Sequence, residues 1–299
     1  EEVDTPAEVL ALADTVALVL DSPAAVGGSA PARTDLERLG VTGLSDKDMP
    51  AVLAKLQQLP ADKLASINTL PGLQSLVDKA VTAQDKIRDY ASDNTRPMPM
   101  AQDYADMGVL LPTAPKAVAD SILAATNKAL ASGPVGADQA GRPDLVQGIV
   151  NSYAKLLALA DGSLGTAAAD LPVAQDYVRV GLDNTLTDKL ANPSNLLLLN
   201  QLVDGAANPS AVDSPASLSA LASVANKVLA IAAQQTGDVV SPADALSAAD
   251  FKVLGINGLT PVESNAVVAA LQSRTQPDVD TVAELQSVAH AARAAINRI

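Results

Sequence analysis

Carboxylates are the reactive side chains this sequence has in quantity: Asp and Glu number 34, against 20 Lys and Arg, a single histidine (His290) and no cysteine. Four aspartates recur in one phrase, as Asp35-Leu36-Glu37-Arg38-Leu39-Gly40-Val41, Asp103-Tyr104-Ala105-Asp106-Met107-Gly108-Val109, Asp176-Tyr177-Val178-Arg179-Val180-Gly181-Leu182 and Asp250-Phe251-Lys252-Val253-Leu254-Gly255-Ile256. A carboxylate repeated once per copy could hold calcium or a charged partner. An Asp in the first turn of a short helix instead caps that helix, and this reading fits better. The next residue is always large and apolar, and no second acid keeps a fixed offset. Calcium loops place Asp or Asn at alternating positions and end in Glu; Asp161-Gly162-Ser163 and Gln276-Pro277-Asp278-Val279-Asp280 echo that only faintly. One histidine and no thiol leave no Ser-His-Asp triad and no His-rich metal site, so paired carboxylates are the acid–base chemistry still formally open. Most acids, however, sit where they complement a helix dipole: Asp4, Glu8, Asp280 and Glu284 fall in or beside first turns. The chain reads as non-enzymatic, with no catalytic, cofactor-binding or metal residues beyond that faint calcium echo.

The elements that would position these residues are helices. The repeated Asp phrase reads as a short helix stopped by Gly40, Gly108, Gly181 or Gly255, because glycine takes the left-handed conformation past a helix end without a Cβ penalty. Tyr104, Tyr177 and Phe251 read as core anchors. Pro31, Pro99 and Pro172, four residues before the Asp, are expected at the helix start. A second phrase, Val3-Asp4-Thr5-Pro6-Ala7-Glu8-Val9, returns as Val279-Asp280-Thr281-Val282-Ala283-Glu284-Leu285 and more weakly near 67, 139 and 212. Thr5 with Glu8, and Thr281 with Glu284, have capping-box spacing: the hydroxyl accepts from the third helical N–H, and the Glu reaches back to the cap. Apolar stripes follow at steps of three and four: Val9, Leu12, Ala13, Val16 and Leu20; Leu73, Leu76, Val77, Ala80 and Ile87; Leu218, Leu221, Ala222, Ala225 and Leu229; Leu285, Val288, Ala292, Ile296 and Ile299. After each glycine a third helix is expected, capped by Ser45, Thr113, Thr187 or Thr260.

The two phrases recur roughly 70 residues apart and divide the chain into repeats at 1–66, 67–138, 139–211 and 212–278, with 279–299 the first helix of a truncated fifth. The expected fold class is all-α: an elongated tandem array of small three-helix units. Alanine and leucine richness with only 2% aromatic residues favours helices over sheets. The last helix is expected to dock on the fourth unit, in a continuous run with the helix before it. Loops 21–30, 92–98, 161–170 and 236–244 differ between copies, so specificity that distinguishes the repeats is expected there. A net charge of −14 and few aromatics argue against nucleic acid, and no run approaches the roughly eighteen apolar residues of a membrane span. The opening Glu1 in place of Met suggests a processed protein or an excerpt of a longer array.

The phrases Val279 to Gln286 and Leu254-Gly255-Ile256-Asn257-Gly258-Leu259-Thr260 resemble the Ala-rich helical repeats of very large bacterial surface and secreted proteins, including biofilm-associated and RTX-type adhesins. Leu39-Gly40-Val41-Thr42-Gly43-Leu44-Ser45 fits the same wording, while Leu110-Leu111 and Asp183-Asn184 lack the second glycine. The resemblance implies an extracellular stalk or display module at a bacterial cell surface. Its expected partners are neighbouring repeats of the same polypeptide or neighbouring subunits, together with a host or matrix ligand. A self-assembling filament or surface-layer subunit, and a module binding a host protein or glycan, are the alternatives.

Overall fold

The computed structural model describes residues 5–21, 30–113, 115–133, 135–165, 171–234, 239–242 and 244–298. Val3, Asp4, Ile299 and, from the loops expected at 21–30, 161–170 and 236–244, residues 22–29, 166–170, 236–238 and 243 lie outside these. The described residues are helical without a strand. Contacts gather the chain into two compact units, Glu1–Val150 and Asn151–Ile299.

The first unit contains α1 (Pro6–Asp21), α2 (Arg33–Arg38), α3 (Met49–Gln57), a 3-10 turn (Ala61–Ser66), α4 (Leu70–Ser92), α5 (Ala101–Met107), α6 (Lys116–Ala131) and α7 (Ala137–Ala140). The unit boundary falls inside α8 (Pro143–Leu159). The second unit continues with α9 (Ala174–Arg179), α10 (Asn184–Thr187), a 3-10 turn (Asp188–Ala191), α11 (Pro193–Asp204), α12 (Pro215–Ala232), α13 (Ala248–Val253), α14 (Pro261–Leu271), a 3-10 turn (Gln276–Asp278) and α15 (Val282–Ile296). Long α4 is the hub of the first unit and packs on α3, α5, α6 and α7. In the second, α12 packs on α11, α13 and α14, and α15 lies on α14 and α11. The stripe expected on α4, Leu73, Leu76, Val77, Ala80 and Ile87, is buried, as are Leu218, Leu221, Ala222, Ala225 and Leu229 of α12. α12 is long and apolar enough by composition to cross a membrane, contrary to the expectation that no run approaches that length. Its apolar face is spent on α11 and α14, and Lys227 on it pairs with Asp250.

The four short helices, α2, α5, α9 and α13, end alike. Gly40, Gly108, Gly181 and Gly255 have φ of 93°, 84°, 88° and 73°. The N–H of the following residue reaches back five positions: Val41 to Leu36 O at 3.0 Å, Val109 to Tyr104 O at 2.8 Å, Leu182 to Tyr177 O at 3.0 Å and Ile256 to Phe251 O at 2.8 Å. This is the Schellman closure, and it satisfies carbonyls that a helix of six or seven residues cannot pair internally. The apolar residue after each glycine is buried, so the closure also seals the core.

Several helix starts differ from expectation. Asp35, Asp103, Asp176 and Asp250 sit at the third helical position, and each accepts from the N–H three residues back, of Ala32, Met100, Val173 and Ser247. That bond fixes the N-cap three residues before the Asp and leaves Pro31, Pro99 and Pro172 one step outside the helix. Thr260 does cap α14. Ser45 does not cap α3: Asp48 is the N-cap, and Ser45 donates to its carboxylate through N–H (2.9 Å) and Oγ–H (2.5 Å). Pro115 stands at the N-cap of α6 in place of Thr113, and Thr187 ends α10, while Asn192 caps α11. The face α1 buries is also rotated, with Thr15 and Val19 inside and Val9 and Val16 at 56% and 41% exposure. The last helix docks as expected but is not continuous with α14, because the turn around Gln276–Asp278 reverses the chain between them.

Gly108 tests the glycine argument. A Cβ there would lie 2.7 Å from the backbone carbonyl carbon of Ala54, whereas one on Gly43, at φ 74°, would meet nothing within 4 Å. Both alanine variants pay the left-handed penalty of about 1–2 kcal/mol; only Gly108→Ala adds overpacking of about 1–3 kcal/mol. In urea denaturation Gly108→Ala should therefore lose visibly more stability than Gly43→Ala, and equal losses would refute the close-approach account.

Candidate functional site

The repeated aspartates are the natural place to look for a site, and their surroundings are those of helix starts. Beyond the backbone bond, Asp103 meets Lys86 of α4 at 2.5 Å, Asp176 meets Lys155 of α8 at 3.0 Å, and Asp250 meets Lys227 of α12 at 3.0 Å. Asp176 is 1% exposed and also accepts from Ser152 Oγ at 3.0 Å. Burial pushes its pKa up, but the Val173 N–H, Lys155 and Ser152 together outweigh that and hold it below the usual 3.8. The same balance of burial against the Ser247 N–H and Lys227 lowers Asp250. In the first copy, α1 offers no lysine to Asp35. Only α13 completes the reciprocal box, because Ser247 Oγ accepts from Asp250 N at 3.2 Å while Ala32, Met100 and Val173 have no side-chain oxygen. Each of these carboxylates is thus committed to a helix start. Among the described residues no three acids or histidines converge as metal ligands. The two loop echoes are turns: Asp161 Oδ1 accepts from Ser163 N and Oγ at 2.7 Å each, and Asp278 Oδ2 from Thr275 N and Oγ1 at 3.0 and 2.6 Å. His290 lies exposed on α15.

Tyr104, Tyr177 and Phe251 are buried. The two phenols enter a polar relay the spacing did not reveal. Tyr104 donates to Asn127 Oδ1 at 2.6 Å, and Asn127 Nδ2 donates to Pro99 O at 3.0 Å. Tyr177, Asn200 and Pro172 repeat this with the same distances, 2.6 and 3.0 Å. The copies with Leu36 or Phe251 in the aromatic place have Leu59 and Arg274, not asparagine, twenty-three residues on. The amide accompanies the hydroxyl because a buried polar atom needs a partner. Burial keeps both phenols protonated far above the ordinary range.

The capping phrases place their residues as their spacing suggests. Thr5 N donates to Glu8 Oε2 at 2.9 Å and Glu8 N to Thr5 Oγ1 at 3.3 Å; Thr281 and Glu284 do the same at 3.1 and 3.3 Å. Five residues past three of the long-helix starts a glutamine grips the backbone beside the preceding short helix's glycine, after Gly40 and Gly108 and just before Gly255. Gln74 bonds both N–H and C=O of Thr42 (2.9 and 3.1 Å), Gln147 bonds both groups of Leu110 (2.7 and 3.0 Å), and Gln286 Nε2 reaches Leu254 O at 3.4 Å. Leu10 and Ser219 hold this place in α1 and α12. Relative to their capping boxes, Val9, Leu12, Ala13 and Val16 of α1 correspond to Leu285, Val288, Ala289 and Ala292 of α15. The α15 set is buried against α14 and α11; in α1 three of the four are exposed and Leu12 is half-buried. An apolar groove of about 200 Å³ runs beside that face, lined by Leu12, Val16, Val19, Leu39, Ile67 and Leu70 among others.

In comparisons with family models, curated proteins and solved structures, nothing matches this chain.

Two measurements follow from this polar chemistry. Tyr104→Phe strands the Asn127 carboxamide oxygen and should cost about 1–3 kcal/mol. Tyr153, whose buried hydroxyl has no partner, should tolerate Phe within about 0.5 kcal/mol; equal costs would sink the relay. For Asp176, the lowered folded pKa means its contribution is complete above the unfolded value of 3.8 and drains away as pH falls below it. Asp176→Asn should therefore lower Tm most near pH 7, and the gap to the parent should narrow below about pH 3. A gap that widens in acid would contradict the assignment.

Proposed function

We propose that this chain is a non-enzymatic structural and adhesive repeat segment, a stalk or display module of a bacterial cell-surface protein, built as a tandem array of three-helix units. The observation that carries the reading is the pairing of α1 with α15: two helices with the same capping box and the same apolar face, one covered by the third helix of the preceding copy and the other open. The exposed α1 face is matched to one occupant, the third helix of another unit of the same kind, as α14 serves α15. Further support comes from the way α3 packs on α4, and α11 on α12. Contacts of this kind would couple neighbouring units, and arrays coupled in this way gain stiffness and stability from repetition. The glutamine grips of Gln74, Gln147 and Gln286 add directional bonds at three such junctions. The location outside the cell rests on the acidic, cysteine-free composition and on the resemblance to adhesin repeats.

The open apolar face also favours a second reading, a filament or surface-layer subunit that associates through α1. One fusion separates the two. A second copy of residues 212–280 is placed directly ahead of Thr5, so that Thr5 follows it as Thr281 follows Asp280. Hydrogen exchange should then show α1 amides protected to the level of α15. Adding Val9→Asp with Val16→Asp should remove the gain, while leaving the unfused chain as stable as before. Unchanged α1 exchange in the fusion would reject the array reading, and concentration-dependent polymers of the unfused chain in sedimentation velocity would favour the filament.

A further inference from the structure

A pocket of about 340 Å³ opens in the second unit between α11, α12 and the two 3-10 turns Asp188–Ala191 and Gln276–Asp278. Its lining is unusually rich in side-chain amides. Asn195 is 5% exposed, and among the described residues no hydrogen bond reaches its carboxamide, which faces the cavity and is not one of the fully enclosed unpartnered groups. Buried amides in folded proteins are nearly always paired, so an unpartnered one facing a cavity marks a place where a ligand or water completes the bonding. Asn226 of α12, half-buried on the same lining, likewise receives no hydrogen bond among the described residues.

The other two amides are fixed. Gln276 accepts from Asn192 Nδ2 at 2.9 Å and donates to Leu229 O at 2.9 Å, while Asn192 Oδ1 accepts from Ser194 N at 3.0 Å. They hold the wall in shape and leave Asn195 and Asn226 as the groups free to bind. Beside them Leu229 and Ala230 supply an apolar strip. The charges at the mouth, Asp188 and Lys189, are exposed neighbours of opposite sign, so the pocket favours neither anion nor cation. No aromatic ring lines it to stack a base.

From this arrangement we propose that the pocket is a binding site for a neutral polyhydroxylated ligand, a single sugar unit of a glycan. Each free carboxamide offers a donor and an acceptor, the pair a vicinal diol needs, and the apolar strip suits the C–H face of a pyranose ring. The volume falls at the small end of the roughly 300–1,000 Å³ typical of small-molecule sites. With no aromatic platform, affinity for a free monosaccharide is expected to be roughly millimolar. The site is independent of the array reading: a spacer without it would still be a spacer, and a sugar site would make the segment a display module.

Saturation-transfer-difference NMR on the full chain tests it, with glucose, galactose, mannose and N-acetylglucosamine as probes and inorganic phosphate and glycine as competitors. At least one sugar should show transfer that neither competitor displaces. Asn195→Leu should weaken that binding at least tenfold while leaving Tm unchanged, since the amide has no protein partner to lose, and Asn226→Ala should weaken it by a similar factor. If Asn195→Leu fails to fold, Asn226→Ala alone decides. Absence of transfer from every sugar, displacement by phosphate or glycine, or binding unchanged in the folded variants would each overturn the proposal.

Discussion

Short helices set the terms for this fold. A helix of six residues has no room to pair most of its own N–H and C=O groups, since four of each are orphaned at the two ends. Such a helix persists only where its ends are closed from outside the hydrogen-bonding pattern of the helix itself. Here the N-terminal donors meet a carboxylate at the third position, and the C-terminal acceptors meet the Schellman bonds that a left-handed glycine permits. Both closures are local in sequence, which lets one seven-residue phrase rebuild the same corner four times. The corner in turn aims a large apolar side chain, Leu36, Tyr104, Tyr177 or Phe251, at the neighbouring long helix.

That locality explains what was legible in the sequence. The glycine stops, the caps of Thr281 and Thr260 and the buried anchors are all decided within a few residues, by propensities that tertiary packing reinforces. Proline's φ suits a helix start, but the reach of the Asp carboxylate fixes the N-cap one residue later and leaves Pro31, Pro99 and Pro172 just outside. Ser45, Thr113 and Thr187 have the chemistry of caps, but the helices begin a few positions downstream, where Asp48, Pro115 and Asn192 take the role.

What the sequence hid is long-range. Asn127 and Asn200 lie 23 residues from the phenols they serve, and nothing in their immediate neighbourhood distinguishes them from surface asparagines. The signal was there in comparison between copies: the amide is present where the aromatic carries a hydroxyl and absent where it does not. Glutamines 74, 147 and 286 follow the same logic, at a constant offset from the start of a long helix. In a repetitive chain, internal differences carry information of this kind because each copy is a natural variant of the others.

The α1 stripe is the case in which periodicity was right about chemistry and wrong about burial. Val9, Leu12, Ala13 and Val16 do form one apolar face; Thr15 and Val19, on the adjacent face, are the residues that pack within the unit. α15 carries both lessons at once, since the equivalent of the exposed α1 face is its buried one. In the proposed array an amphipathic helix would have two neighbours to satisfy, its own short helix and the third helix of the copy before it, and a wider apolar surface would serve both. In that arrangement an apolar face wider than the local packing uses would mark a junction; in α1 its two halves are separated by burial even though the sequence writes them as one stripe.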